Sequence, residues 1–408
     1  MHAPSYKVII TLTLIIACCI TCRRDEDPAV KQKTLFFIDY RNLGGGKDGV
    51  LVMELDPESP DFANILSNTE IGKGVLPHHL YFNRDEKKLF TTALGGEYLY
   101  ELKMEWNKDG YPIIYQVNPI NTHGNQVGED IFFTKNGEYW VTFMGGQGGL
   151  RDGSVGVFNA TTNELIKTIK GKEADNPDKF ILYPHGISMN EEKKLAMVTS
   201  TIHPDLTSGV GNTCTLIDMN TYQIIKTYQV ADSAKDLSSP VEVLLLRNEF
   251  PPFALTNTML GGDIWMASYN NQQHRFNPFQ RVLKGADMGL GWALEFYIAA
   301  DKLLYVSFGK PGKVLVFDIS QLPQLKLLKT LPANKGAHHM AFFKTKSGRS
   351  VVAIQNNLLN LPDLNAGTID LVDVNTGEML GRVDMRNKYG LLPESIEGTL
   401  GSAHYMHH

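Results

Sequence analysis

From Lys33 onward the chain repeats one pattern about every 45 residues: an apolar strand, a polar turn, a second strand, a Gly-rich gap, a third strand ending in Asp or Asn, and a fourth. A unit of this kind cannot bury its apolar faces alone, so successive copies must stack on one another. The segment from Leu80 to Phe90 and the segment from Ile187 to Ala196 share the same layout, each with an Asp/Glu-rich turn before Lys-Lys-Leu. Further hairpin signals stand around Asn136-Gly137 and Ser347-Gly348. Period-two alternation in Ser154–Asn159, Val314–Ile319 and Thr368–Val374 favours antiparallel sheets over helices. Composition agrees: 43% hydrophobic residues with 20% charged is globular, and 37 glycines suit many short strands and turns.

Copies begin near residues 77, 123, 184, 240, 292 and 338. The N-terminal strands Leu35–Asp39 and Gly49–Leu55 lack an inner strand, whereas the C-terminal Gly401–Met406 lacks outer ones. Joined, they complete a further unit. The expected fold is therefore all-β, a seven-bladed β-propeller closed by pairing of its N- and C-terminal strands, which leaves no free sheet edge. No linker interrupts the series, so residues 33–408 read as one domain.

The first residues are of another kind. Lys7 precedes an apolar run from Val8 to Ala17 that is short for a bilayer span and typical of an export signal. Ile15-Ile16-Ala17-Cys18 resembles the bacterial lipobox, which makes residues 1–17 a signal peptide, Cys18 the lipidation site and residues 18–32 a charged tether. An uncleaved anchor is the alternative. The expected location is the bacterial cell envelope, with the membrane as partner through the lipid. Cys18, Cys19 and Cys22 all lie in this leader, leaving Cys214 alone in the body, in an alternating run that makes it a buried strand residue. A net charge of −5 with no basic run argues against nucleic acid and points to a small molecule or a metal.

In a propeller the starts of the inner strands converge on the central channel. The residues at those positions are His78 and His79, His123 with Glu129 and Asp130, His185, Glu242, Glu295, His338 and His339, and His404. Imidazole suits copper, zinc or iron, and carboxylates suit harder ions or proton transfer. Alternation along a strand turns only one residue of an adjacent pair inward, which favours His79 and His339. The candidate metal ligands are thus His78, His79, His123, His185, His339 and His404, with Glu242 and Glu295 as candidate catalytic groups. The competing reading is a wet channel whose histidines are hydrogen-bonded structure. His203, His274, His407 and His408 do not fit the inner-strand position. Gly145–Gly149 lacks the context of a phosphate loop, and no nucleophile-elbow serine stands out.

Leu55-Asp56-Pro57-Glu58-Ser59-Pro60 followed by His78-His79, Pro240-Val241-Glu242-Val243, Tyr305-Val306-Ser307 and Ala403-His404 resemble segments of the selenium-binding proteins, the family that includes methanethiol oxidase. The resemblance implies a seven-bladed propeller that carries copper and oxidises a small thiol with oxygen to an aldehyde, hydrogen sulfide and hydrogen peroxide. His78, His79, His123 and His404 match family histidines and Glu242 a family glutamate, whereas His185 and His339 do not. The family's Cys-rich motif after the paired histidines is absent, Asn83-Arg84-Asp85-Glu86 standing there instead, so selenium attachment is not expected. Three functions follow as alternatives: a copper-dependent thiol oxidase, a non-catalytic envelope propeller that binds a metal, ligand or protein, and a lactonase-like hydrolase using another divalent metal.

Overall fold

The computed structural model describes residues 34–84, 88–171, 178–233, 236–246, 252–299 and 302–398. The leader with Cys18, the tether and His404 lie outside the described residues. Among those described, seven antiparallel sheets form seven blades. Six follow one another in the chain, with inner strands Pro77–Phe82, Gly128–Phe133, Pro184–Asn190, Pro240–Leu245, Ala293–Ile298 and Ala337–Lys344. Five of these blades step outward through four consecutive strands. In the fourth, the outer position is divided between Arg275–Phe276 and Gln280–Leu283, both paired to Ile264–Asn270.

The seventh blade joins the two ends of the domain, as the sequence pattern requires. Its inner strand, however, is Leu391–Gly398, which pairs with Leu35–Asn42, followed outward by Asp48–Glu54 and Ile65–Gly72. The expected closing segment Gly401–Met406 lies beyond this strand, outside the described residues. The turn that aims the chain back is local: Asp384 caps the short helix Met385–Tyr389 by accepting from Asn387 N, and Gly390 ends it in the left-handed conformation.

Most apolar side chains meet between blades, in one cluster for each of the seven neighbouring pairs. Phe36, Ile38 and Leu51 of the closing blade, for example, pack on Val351, Ala353 and Leu371 of the sixth. Cys214 is part of the cluster between the third and fourth blades, fully buried, its thiol pushed up to about 12 by burial. This arrangement leaves the channel to the inner strands alone.

Each inner strand is bulged at the same level. Register slips by one residue between Pro77 and His79, Gly128 and Ile131, Pro184 and Ile187, Pro240 and Val243, Ala293 and Phe296, and Ala337 and Met340. The closing strand slips likewise opposite Asp39 and Tyr40. In the first six blades the residue just before the inner strand is left-handed, non-glycine Leu76, Val127, Tyr183, Ser239 and Trp292 among them, a conformation L residues adopt at a cost. A polar residue on the second strand satisfies the backbone the bulge frees. Asp130 N donates to Thr142 Oγ1 at 2.9 Å, Gly186 N to Thr199 Oγ1 at 2.9 Å, Glu242 N to Asn257 Oδ1 at 2.9 Å and Glu295 N to Ser307 Oγ at 3.0 Å. Thr142 and Thr199 in turn donate to the bulge carbonyls of the following blade, His185 O and Val241 O. The bulges are thereby linked from blade to blade.

In the closing blade the equivalent second-strand residue is Asp39, fully buried, which accepts from Thr91 Oγ1 at 2.8 Å and Ser395 Oγ at 3.1 Å. Burial raises its carboxyl to about 8 against the pull of those two hydroxyls. A carboxyl raised this far above its unfolded value of about 4 makes its full contribution to stability below that value and loses it as pH climbs toward the folded one. Asp39→Asn, which cannot ionise, should therefore gain stability relative to wild type as pH rises from 5 to 8. Urea denaturation at a series of pH values reads this directly, and parallel curves for the two proteins would refute the assignment of a neutral Asp39.

Candidate metal centre

The bulge places two consecutive residues of each inner strand toward the axis, so the channel carries two layers. The first contains His78, Glu129, His185, His338 and Glu394, with Val241 and Leu294 in the remaining blades. The second contains His79, Asp130, Glu242, Glu295, His339 and Ser395, with Gly186 in the third blade. Val241 and Leu294 belong to an apolar cluster with Ile202, Met259, Leu358 and Leu364 on the side where the inner strands begin. On the other side lies a cavity of about 340 Å³ with His79, Glu242, Glu295, His338 and His339 in its lining. Phe133, Leu244 and Phe296 add apolar wall, and Arg84 and Glu397 polar groups.

Both histidines of each pair are buried in the channel: His78 is 3% exposed, His79 5%, His338 2% and His339 7%. The expectation that only one of each pair turns inward is corrected here, because the extra residue of a bulge suspends the alternation on which it rested. The imidazole rings touch. Centroids stand 4.5 Å apart for His78 and His79, 4.5 Å for His79 and His339, 3.8 Å for His338 and His339, and 5.7 Å for His79 and His185.

Glu129 lies at the junction of three of them. Its Oε2 is 3.4 Å from His78 Nε2, 3.5 Å from His185 Nε2 and 3.7 Å from His79 Nε2. Donors around a tetrahedral ion with bonds of ~2.0–2.1 Å stand ~3.3–3.4 Å apart, so the spacing is near that of ligands about a common centre. Glu129 Oε2 and His79 Nε2 make no hydrogen bond despite full burial, and neither do His78 Nδ1, His338 Nδ1 and His339 Nε2. Buried polar atoms are ordinarily satisfied, so this set of open nitrogens and one open carboxylate oxygen fits a cation. His78, His79, Glu129 and His185 form one group able to hold a metal ion, and His79, His338 and His339 a second.

Outer partners fix the rings. His79 Nδ1 is 2.6 Å from the Tyr81 hydroxyl, which itself hydrogen-bonds Asp130. His185 Nδ1 is 3.2 Å from Glu242 Oε1 and His339 Nδ1 is 3.7 Å from Glu295 Oε1. A carboxylate behind an imidazole is the usual way to orient a metal ligand and raise its basicity. Protonation follows the same geometry. Burial, with the neighbouring imidazoles adding, holds His78, His79 and His338 well below the ordinary value, and holds His339 at about 3. Burial also opposes charge on His185, but Glu129 and Glu242 outweigh it and raise that ring to about 9. Burial lifts Glu129 to about 7 and, aided by Glu242, Asp130 to about 8. The channel thus holds four neutral imidazoles ready to bind and acids whose charge a cation would stabilise.

Of the residues singled out in the sequence, His78, His79, His185, His339, Glu242 and Glu295 meet here. His123 does not: it stands exposed in a turn before the second blade, its N–H donating to Asn121 Oδ1. The sequence-based set also lacked His338 and Glu129 as ligands, and Glu394 altogether. Glu394 follows Pro393 as His78 follows Pro77, a signal visible once the inner strands are aligned on their bulges. It is buried, 3.0 Å from Arg41 Nε.

Gly186 permits the Glu242–His185 contact. A Cβ there would sit 2.5 Å from Val241 O and 2.9 Å from Glu242 Oε2, closer than atoms approach. Gly186→Ala should displace Glu242 from His185 and weaken zinc binding roughly 10–100-fold without removing a ligand. Competition titration against a zinc chelator measures this, and unchanged affinity would show that the Glu242 contact does not tune the site.

No protein-family model matches the chain, and no curated protein matches it. Solved structures do. The fold is similar to a hypothetical selenium-binding protein from Sulfolobus tokodaii, with TM-score 0.69 at 15% identity over 93% of this chain and 96% of the other. It is similar also to a periplasmic gluconolactonase from Pseudomonas aeruginosa, TM-score 0.62 at 12% identity over 90% and 99%. A third is a putative 6-phosphogluconolactonase from Bacteroides uniformis, TM-score 0.58 at 14% identity over 90% and 99%. At these identities the likeness is one of fold: the chain is a seven-bladed β-propeller with a buried His/Glu cluster able to hold a metal ion.

Proposed function

We propose that this protein is an envelope metalloprotein that holds copper in the propeller channel and oxidises a small thiol. The observation that carries the reading is the set of three imidazole nitrogens within 3.7 Å of one buried carboxylate oxygen, in a cluster rich in open nitrogens. Imidazole-rich sites favour copper, zinc or iron over calcium or magnesium, and the resemblance to selenium-binding proteins in sequence and fold favours copper among them. His78, His79, Glu129 and His185 would hold the ion. When bound, copper supplies a redox centre that can take a thiolate.

The remaining work falls to side chains along the cavity. Glu242 and Glu295, each behind a histidine, are positioned to accept the proton a thiol gives up on binding. Phe133, Leu244 and Phe296 line the cavity and exclude water from an apolar substituent. The volume suits a small substrate. The same ion, with Glu242 as base on a water molecule, would serve a hydrolase, a reading favoured by the gluconolactonase-like neighbours.

Elemental analysis of the untagged domain from Lys33, after reconstitution with copper, should find bound copper that is lost in His79→Ala/His185→Ala and kept in His123→Ala. Copper retained by the double variant would overturn the site. With methanethiol, the copper-loaded protein should consume oxygen, and Glu242→Gln should lower kcat by about 10²-fold or more. Hydrolysis of gluconolactone without oxygen uptake would replace the oxidase by the lactonase reading, and neither activity would leave a binding propeller. Export and anchoring rest on the apolar run from Val8 to Ala17 and the Ile15–Cys18 motif. Radiolabelled palmitate should enter the wild-type precursor in a bacterial host and not Cys18→Ala.

A further inference from the structure

The cluster is larger than one ion requires. Besides Glu129, five imidazoles are buried in it, and the two ligand groups share only His79. His338 and His339 take no part in the group around Glu129, yet His338 Nδ1 and His339 Nε2 are buried without a hydrogen bond. A second ion is the chemistry that these open nitrogens would satisfy.

We infer that the channel holds two metal ions side by side, one on His78, His185 and Glu129 and one on His79, His338 and His339, with Glu129 between them. This rests on the reading of the channel as a metal site and extends it from one ion to two. His79 cannot ligate both ions, because its Nδ1 faces the Tyr81 hydroxyl and only Nε2 faces the cluster. Assigning His79 to the second ion gives the first His78, His185 and Glu129 and the second His79, His338 and His339, with Glu129 as the ligand the two would share. Glu129 Oε2 lies 3.4 and 3.5 Å from the nitrogens of the first set and 3.7 Å from His79 Nε2 of the second. A carboxylate so placed can bridge ions ~3.5–4 Å apart, the separation of two-metal sites.

Glu129, Asp130, Glu242 and Glu295 bring four acidic groups to the channel, with His185, His339 and Tyr81 in direct contact with them. The open side also fits. His79, His338 and His339 line the cavity whereas His78, Glu129 and His185 do not, so the second ion would face the substrate and the first would lie behind it.

The test uses the untagged domain from Lys33 and zinc alone. Elemental analysis after equilibration and desalting should give two zinc per chain. His338→Gln/His339→Gln should give one, and His78→Gln/His185→Gln should give one, with far-UV circular dichroism confirming that each variant is folded. With copper(II), the wild type should show an EPR spectrum broadened by coupling between the ions, and either variant an isolated-ion spectrum. One zinc in the wild type, lost wholly in both variants, would overturn the two-ion site and leave the single-ion reading intact. No zinc and no copper in the wild type would overturn both.

Discussion

Closure of the ring is the constraint on which the rest of the molecule depends. The pairing of Leu391–Gly398 with Leu35–Asn42 joins strands from opposite ends of the domain, and through it every blade has a neighbour on each side. Without that ladder, the apolar faces of the first and sixth blades would each lack a partner, and two sheet edges would be open to other chains. Closure also fixes the radius of the channel. Histidines from the first, third and sixth blades meet only because the ring that carries them is complete.

The channel is polar because the apolar work is done elsewhere. Seven clusters between blades bury the large side chains, so the inner strands are free to present imidazole and carboxylate to the axis without loss of a core. The bulges then double what each strand can present. A regular strand would offer one side chain per blade at a given level, whereas the slipped strands offer two in succession, and Thr142, Thr199, Asn257 and Ser307 satisfy the backbone that the slip exposes. The cost is borne in left-handed backbone at residues such as Leu76 and Tyr183 and in acids held near or above neutrality by burial. Strained backbone and buried acids gathered in one part of a fold single it out as the candidate site.

The repeat pattern was legible in the amino-acid sequence because period-two alternation and turn residues are local signals. It determined the fold class, the number of blades and the closing of the ring by the chain's two ends, and it brought His78, His79, Glu129, Asp130, His185, Glu242, Glu295, His338 and His339 to the channel, together with His123, which the structure places in an exposed turn. Cys214 was legible for the same reason, as an apolar position in an alternating run.

Tertiary structure alone decided the rest. Which segment closes the ring depends on where the helix Met385–Tyr389 turns the chain, and it is Leu391–Gly398 that takes the inner place expected for Gly401–Met406. That His78 and His338 turn inward beside their neighbours depends on bulges, which a single strand does not announce because the slip is defined against its partner. His123 shares a composition with the ligands but sits before its bulge, in a turn. The role of Glu129 is likewise a matter of distance: it is one acid among several in the sequence, and only the folded ring sets its carboxylate at the meeting point of three imidazoles from two other blades.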